Sequence, residues 1–353
     1  MRFEVGRVRL SDPARRPAET HHPEADLMIN QTHLTSDDIR KSLLLRGAEQ
    51  EELFRQAREV RHQVLGDRVL VRGVLEVSND CGKDCGYCAM RKSNTELSRF
   101  TMNVDQIMEI AKHVADCGIT CFFLQAAQHP DVDSLVEEVI PRVKREFGMD
   151  ILLCLGERSS AQFKRFGDLG ADSYILKFET SDPELYRQLG CGNHAARLKA
   201  GDLIRAAGMK FGSGNIVGLP GQSLETLVRD VELGIQINPD FISSAPFIPN
   251  SGTPCEKNGP GDIETTFNMM ALWRIALGRP LIPSVSALQR MHADGQFRGF
   301  QAGANIITVN FTPTEFRNRY CIYNKDRFIV SVDHAVATIR RAGLEPILRA
   351  PAG

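Results

Sequence analysis

No apolar run in the sequence approaches the roughly 18 residues that a bilayer-spanning helix needs, so a membrane span is not expected. The N-terminus carries no apolar core of the kind found in a secretory signal. Neither charge is in surplus, with a formal net charge of −1. The basic excess that neutralises phosphates or an anionic lipid surface is therefore missing, and neither nucleic acid nor membrane is an expected partner. A disulfide framework is missing too. Nine cysteines in 353 residues are an odd count with one tight cluster, the pattern of a reducing compartment and a metal site. The expected location is the cytoplasm.

What the chain does have is core-forming material. Hydrophobic residues make up 42% and charged residues 25%, enough for a large core and no sign of bulk disorder. Residues 1–33 show no apolar period and read as a tail. His21 and His22 stand there as two adjacent solvated histidines rather than a metal site. A capped helix is expected from Thr35-Ser36-Asp37-Asp38, where Ser and Asp side chains can satisfy free N–H groups. Leu43 to Leu45, Leu53, Ala57 and Val60 give the following stretch an apolar face, so residues 34–67 read as N-terminal helices laid on the main domain.

From residue 68 to the C-terminus, strand-like and helical patterns alternate. Strands are expected at 69–77, 120–125, 151–155, 173–178, 210–217, 241–247, 281–286 and 305–309. Amphipathic helices are expected at 104–117, 132–147, 160–169, 196–207, 223–237, 263–277, about 288–301 and 332–342. Eight strands with intervening helices predict an α/β fold, a parallel (β/α)8 TIM-type barrel with an N-terminal helical extension. A doubly wound open sheet is the alternative. In a barrel, the loops leaving the C-terminal ends of the strands carry the site.

The cysteine cluster falls on such a loop. Asn79-Asp80-Cys81-Gly82-Lys83-Asp84-Cys85-Gly86-Tyr87-Cys88 has the spacing C-x3-C-x2-C. Three thiolates on one short loop can bind three irons of a cubane. The fourth iron is then left with an open position for a substrate or cofactor. S-adenosylmethionine (SAM) can chelate it through its amino and carboxylate groups, and one electron then splits the C5′–S bond to a 5′-deoxyadenosyl radical. The competing reading is a zinc knuckle, but zinc structural sites take four ligands in two spaced pairs, and no second pair is nearby. For the other six cysteines, small buried or half-buried thiols are expected.

From about residue 40 onward the chain resembles the radical SAM group that holds the [FeFe]-hydrogenase maturase HydE, methylornithine synthase and biotin synthase. The likeness extends past the cysteines. It includes Val77-Ser78-Asn79, Arg99-Phe100, Leu155-Gly156-Glu157, Phe178-Glu179-Thr180, Val217 to Gln222, Pro246 to Pro249, Gly303 to Asn305 and Asn310 to Pro313. The resemblance implies a (β/α)8 barrel, a [4Fe-4S] cluster on Cys81, Cys85 and Cys88, and SAM beside it. It also implies an electron donor such as flavodoxin or ferredoxin. By matched position, the Tyr87 backbone lies near adenine, Glu179 takes the methionyl or ribose part of SAM, and Arg197 pairs with its carboxylate. Gln128 stands where the group usually carries a glutamate; it keeps hydrogen bonding without the charge. The substrate pocket is expected around His129, Lys177, Ser286 and Tyr320. Here the group's residues are only partly kept: His129 replaces an acid, Lys177 an arginine, and Ala287 an aspartate that in methylornithine synthase holds the substrate. The SAM machinery is retained and the pocket remodelled. That implies a HydE-like enzyme acting on a small substrate, in cofactor or metallocluster maturation. An amino-acid mutase or lyase of the methylornithine synthase type, and a non-catalytic iron–sulfur carrier, are the alternatives.

Overall fold

The strands form where the sequence is apolar at nearly every position rather than at every second one. Strand β1 (Arg68–Ser78) is buried at all but two of its eleven residues. A parallel sheet covered on both faces demands that pattern. The computed structural model describes residues 34–349; the expected tail at 1–33, with His21 and His22, lies outside them. Strands β2 (Cys121–Ala126), β3 (Asp150–Cys154), β4 (Ser173–Ile175), β5 (Lys210–Val217), β6 (Phe241–Pro246) and β7 (Ile306–Asn310) join β1 in one parallel sheet. The order is β6-β5-β4-β3-β2-β1-β7, with a short β8 (Glu345–Ile347) on the N-terminal end of β1.

Side chains alternate between the two faces of the curled sheet. Val69, Val71, Leu75 and Val77 of β1, Phe122 and Leu124 of β2, and Ile151 and Leu153 of β3 point outward into the large core beneath the helices. Val74, Cys121, Phe123 and Leu152 make a separate small cluster on the inner face, packed by Cys154 and Ile175. The inner set also holds charge, since Arg72 and Glu76 share the parity of Val74 and are both buried. The sheet bends far enough for Leu281 to bridge Phe241 of β6 and Pro283 to bridge Ile306 of β7, both in parallel sense.

Thirteen helices are described. The first two, α1 (Ser36–Leu43) and α2 (Gly47–Leu65), precede β1. Helices α3 (Val104–Asp116), α4 (Val132–Phe147), α5 (Ser160–Asp168), α6 (Pro183–Gln188) and α7 (His194–Ala206) follow within the strand series. Then come α8 (Leu224–Ile237), α9 (Ile263–Leu277), α10 (Ser286–Met291), α11 (Gly295–Gln301), α12 (Thr314–Arg317) and α13 (Val332–Arg341). Most starts are set by a polar side chain taking an otherwise orphaned N–H. Thr35 caps α1 with Asp38 reaching back to it, and Asn103 does the same for α3 with Gln106. Ser159, Asn193, Ser223 and Ser331 cap α5, α7, α8 and α13. Helices α1 and α2 are held to α8 and α9 by named contacts: Ser36 Oγ to Glu232 at 2.6 Å, a two-pronged Arg40–Glu225 pair, and Gln50 to Asn268 at 2.8 Å.

Three expectations shift. The stretch 281–286 is no continuous strand; it makes only the two bridges above, and Ser286 already begins α10. The helix expected at 288–301 is two helices, because His292 is extended and Gly295 packs so tightly on α10 that a Cβ there would lie 1.9 Å from the Leu288 carbonyl oxygen. Strand β4 ends at Ile175 rather than Phe178, and beyond it Glu179, in left-handed backbone (φ 65°), makes only an isolated bridge to Asn215.

Candidate active site

The loop after β1 is shaped by side chains that bind backbone. Asn79, fully buried, donates from Nδ2 to the carbonyls of Ser98 (2.9 Å) and Arg319 (2.8 Å) and accepts the Phe100 N–H at 2.8 Å. The Arg99 guanidinium gathers four carbonyls of the same loop, those of Asn79, Met90, Arg91 and Asn94, at 2.7–3.1 Å. Asp84 takes a fork from Arg91 and both N–H and O–H from Ser93. These bonds leave the loop little freedom, so its thiols are placed in advance. Two further backbone bonds pin it to neighbours: Gly82 N–H to Gln128 O at 2.8 Å and Gly86 N–H to Leu189 O at 2.7 Å.

Cys81, Cys85 and Cys88 all line one cavity at the C-terminal ends of the strands. Burial raises the Cys81 thiol and pushes Cys88 up to about 12, while the neighbouring Cys191 thiol lowers Cys85. Metal binding to such thiols releases protons. Among the described residues, no three His, Cys, Asp or Glu side chains converge on a point that could hold a single ion. A cubane takes one thiolate per iron, and the three thiols share this one cavity.

A row of alternating charges starts on the cysteine loop itself, at Lys83. Lys83 meets Glu157 at 3.1 Å, Arg197 meets Glu157 and Glu179 at 3.6 Å each, and Lys177 meets Glu179 at 3.6 Å. Arg197 is oriented by its Nε, which donates to the Lys177 carbonyl at 2.7 Å. Three of these contacts are too long for hydrogen bonds. The buried Glu157 Oε1 accepts none among the described residues. Glu179 holds a strained left-handed backbone, a cost of roughly 1–3 kcal/mol that concentrates at functional positions. Its N–H donates to Gly214 O at 3.0 Å and its carbonyl accepts Ile216 N–H at 2.9 Å, which fix the strained turn to β5.

Most of the sequence-expected residues meet here. Tyr87, Gln128, Lys177, Glu179, Arg197 and Tyr320 line the cavity with the three cysteines. Gln128 Oε1 accepts the Glu157 N–H at 3.0 Å, so one of its lone pairs is engaged before any ligand arrives. Gly156 makes that possible: it is left-handed (φ 82°), and a Cβ would stand 2.4 Å from Gln128 Oε1. Lys177 lines the cavity with its ammonium 3.6 Å from Glu179. Tyr320 lies under the Arg327 guanidinium, which forks onto the buried Glu76 of β1.

Two expected pocket residues do not line the cavity. His129 turns back to its own loop, its Nδ1 accepting the Asp131 N–H at 3.4 Å, and Ser286 is the first residue of α10. Both follow from local structure: a short polar turn before α4 and an early helix start after the 281–283 bridges. Conversely, the cavity wall includes Lys83, Cys154, Cys191 and Tyr323, which sequence reasoning did not place there. Glu157 stands just behind the wall, its N–H bonded to Gln128, and follows β3 as Glu179 follows β4.

Comparisons with known proteins bear on this geometry. The pattern of the radical SAM superfamily matches residues 75–234. The [FeFe] hydrogenase maturase subunit HydE of Thermotoga maritima is 33% identical over 285 residues, covering 78% of this chain and 82% of that protein. A 3-methylornithine synthase of Methanosarcina acetivorans is 27% identical over 330 residues, covering 90% and 92%. A solved methylornithine synthase superposes with a TM-score of 0.81 at 25% identity, over 91% of this chain and 96% of that one.

Proposed function

The chain belongs to the radical SAM superfamily, and on that premise we propose that Cys81, Cys85 and Cys88 hold the [4Fe-4S] cluster while Gln128, Glu179, Arg197 and the Tyr87 backbone hold SAM for reaction with a small substrate in the cavity. Members of this superfamily use both cofactors, which together supply one-electron cleavage of SAM to a 5′-deoxyadenosyl radical. The observation that carries the residue assignment is one cavity lined by the three thiols together with Lys83, Lys177, Glu179 and Arg197. Arg197 offers a guanidinium to a carboxylate, and Glu179 offers an acceptor to an amine or a ribose. The Arg99 and Asn79 bonds hold the thiol loop still while the wall orients SAM.

The eight-stranded (β/α)8 barrel with α1 and α2 laid against it is our reading of the curled sheet. It is supported by the bridges at Leu281 and Pro283, which span the gap between β6 and β7. Residues 34–67 and 68–353 are read as those helices and that barrel. No described helix is long and apolar enough to cross a membrane, in keeping with a cytoplasmic enzyme that takes its electron from a flavodoxin or ferredoxin.

The reaction class we propose is HydE-like, in cofactor or metallocluster maturation, on a small amino-acid-like or organometallic substrate bound near Lys177 and Tyr320. Anaerobic reconstituted protein given SAM and dithionite should release 5′-deoxyadenosine. Any such release rules out a non-catalytic carrier. With free lysine added, formation of methylornithine would move the assignment to the mutase reading, and its absence keeps the HydE-like one.

A further inference from the structure

The stretch 217–222 is one of those that carry the resemblance, yet none of its six residues lines the cavity. Its turn is closed by one side chain. Gln222 Oε1 accepts the N–H groups of Gly218 (2.6 Å) and Leu219 (3.2 Å), and its Nε2 donates to the Ile216 carbonyl at 3.0 Å. The same Nε2 reaches Asp230 of α8 at 3.1 Å. Asp230 is fully buried and collects two more donors, the Ser181 N–H at 2.6 Å and Asn215 Nδ2 at 2.8 Å. All three donors are neutral. A carboxylate taken out of water needs such bonds in place of its hydration.

Two of the three donors flank Glu179. Ser181 follows it by two residues, and Asn215 of β5 is the residue bridged to it. The amide and carbonyl of Glu179 itself bond to β5. Past it the chain turns away toward α6, and Ser181 is tied down there twice: its N–H goes to Asp230 and its Oγ donates to the Thr226 carbonyl of α8 at 3.2 Å. Asn215 is held at its other end by Ser244, whose Oγ donates to Asn215 Oδ1 at 2.9 Å. Left-handed backbone at a residue other than glycine persists only where the surroundings over-determine it. Here one carboxylate holds both the strand beside Glu179 and the turn after it. An amide could not replace that carboxylate. Oδ1 takes Ser181 while Oδ2 takes Asn215 and Gln222, so an NH2 group on either side would face a donor.

We propose that Asp230 is a positioning residue for SAM: from outside the cavity it fixes the Glu179 turn, and through that turn the carboxylate that Glu179 presents to SAM. The proposal rests on the reading of Glu179 as a SAM ligand. Its effect falls on SAM affinity and not on the cluster, whose loop is built by the separate bonds of Asn79 and Arg99.

The probe is SAM itself, bound without reductant so that none is cleaved. Iron and sulfide are counted first on each anaerobically reconstituted protein. In equilibrium dialysis, Asp230→Asn should raise the dissociation constant for SAM roughly ten-fold at unchanged iron content, as loss of a hydrogen bond to a charged group gives. Glu179→Gln should raise it by about as much. The double variant should stay within about two-fold of Glu179→Gln alone, because Asp230 acts through Glu179. Without SAM, amide hydrogen exchange over residues 179–182 should speed up roughly ten-fold in Asp230→Asn and keep the wild-type rate in Glu179→Gln. Should Asp230→Asn fail to load iron, Asn215→Ala removes one arm of the same junction, and a rise of about three-fold is expected. Unchanged SAM affinity in Asp230→Asn, or in Asn215→Ala where it stands in, overturns the proposal. So does a loss that repeats in full on the Glu179→Gln background, since a general loosening of the fold would add. A Glu179→Gln protein that binds SAM as the wild type does overturns instead the ligand reading on which the proposal stands.

Discussion

Two guanidiniums, Arg197 of α7 on the cavity wall and the buried Arg72 of β1, sit in opposite circumstances. At the mouth, Arg197 has two carboxylates within 3.6 Å and a backbone carbonyl at 2.7 Å. At the floor, Arg72 has one hydroxyl, Thr308 Oγ1 at 2.7 Å, and the Phe123 ring 5.0 Å away; its Nη1 has no partner among the described residues. Burial pushes the Arg72 guanidinium down to about 10, with no carboxylate close enough to reverse it. A buried charge without an acid partner adds little or nothing to stability, whereas a charge held between two acids can be aimed. The mouth is therefore organised for a ligand, and the floor carries an arginine that the fold tolerates.

That contrast can be broken in order of expected effect. Arg99→Met removes four charge-assisted bonds that hold the thiol loop, so most of the iron should be lost at unchanged helix content, read by iron analysis and circular dichroism. Full iron loading in that variant would show that the loop is shaped by something else. Arg197→Gln leaves Glu157 and Glu179 without their shared cation. The KM for SAM should rise roughly 10–100-fold with the cluster intact, as expected for loss of a charged pairing; an unchanged KM would make Arg197 purely structural. Gly156→Ala forces a Cβ against Gln128 and strains a left-handed position, so nucleoside release should drop while stability falls by about 1–3 kcal/mol. The smallest effect is expected at the floor. Arg72→Met should leave the unfolding free energy within about 1 kcal/mol of wild type, or raise it, and leave nucleoside release unaltered. A loss of roughly 3–5 kcal/mol would place a compensating anion or water at the floor and erase the comparison.

The same division governs what could be read from the sequence. Strand β5 and helices α4 and α9 fall at their expected bounds because an apolar period or run ends at a polar cap or a glycine, all local signals. The cysteine loop was legible for the same reason: three cysteines within eight residues. Residues whose place depends on distant backbone were not. Cys191 lines the cavity only because Gly190 and Gly192, both left-handed, let segments about a hundred residues apart touch, and nothing in its own neighbourhood announces that. His129 and Ser286 fail in the opposite way: matched by position, they are turned aside by a tight turn and an early helix start. The short α6, α12 and β8 went unseen because four- to six-residue elements and three-residue strands carry too little periodicity to register.

The most direct test is made on anaerobically purified protein, as iron and acid-labile sulfide per chain followed by nucleoside release from SAM under reduction. About four of each per chain, 5′-deoxyadenosine from the wild type, and neither cluster nor nucleoside from Cys85→Ala are predicted. Stoichiometric zinc in place of iron, or nucleoside released by Cys85→Ala at the wild-type rate, would contradict the account.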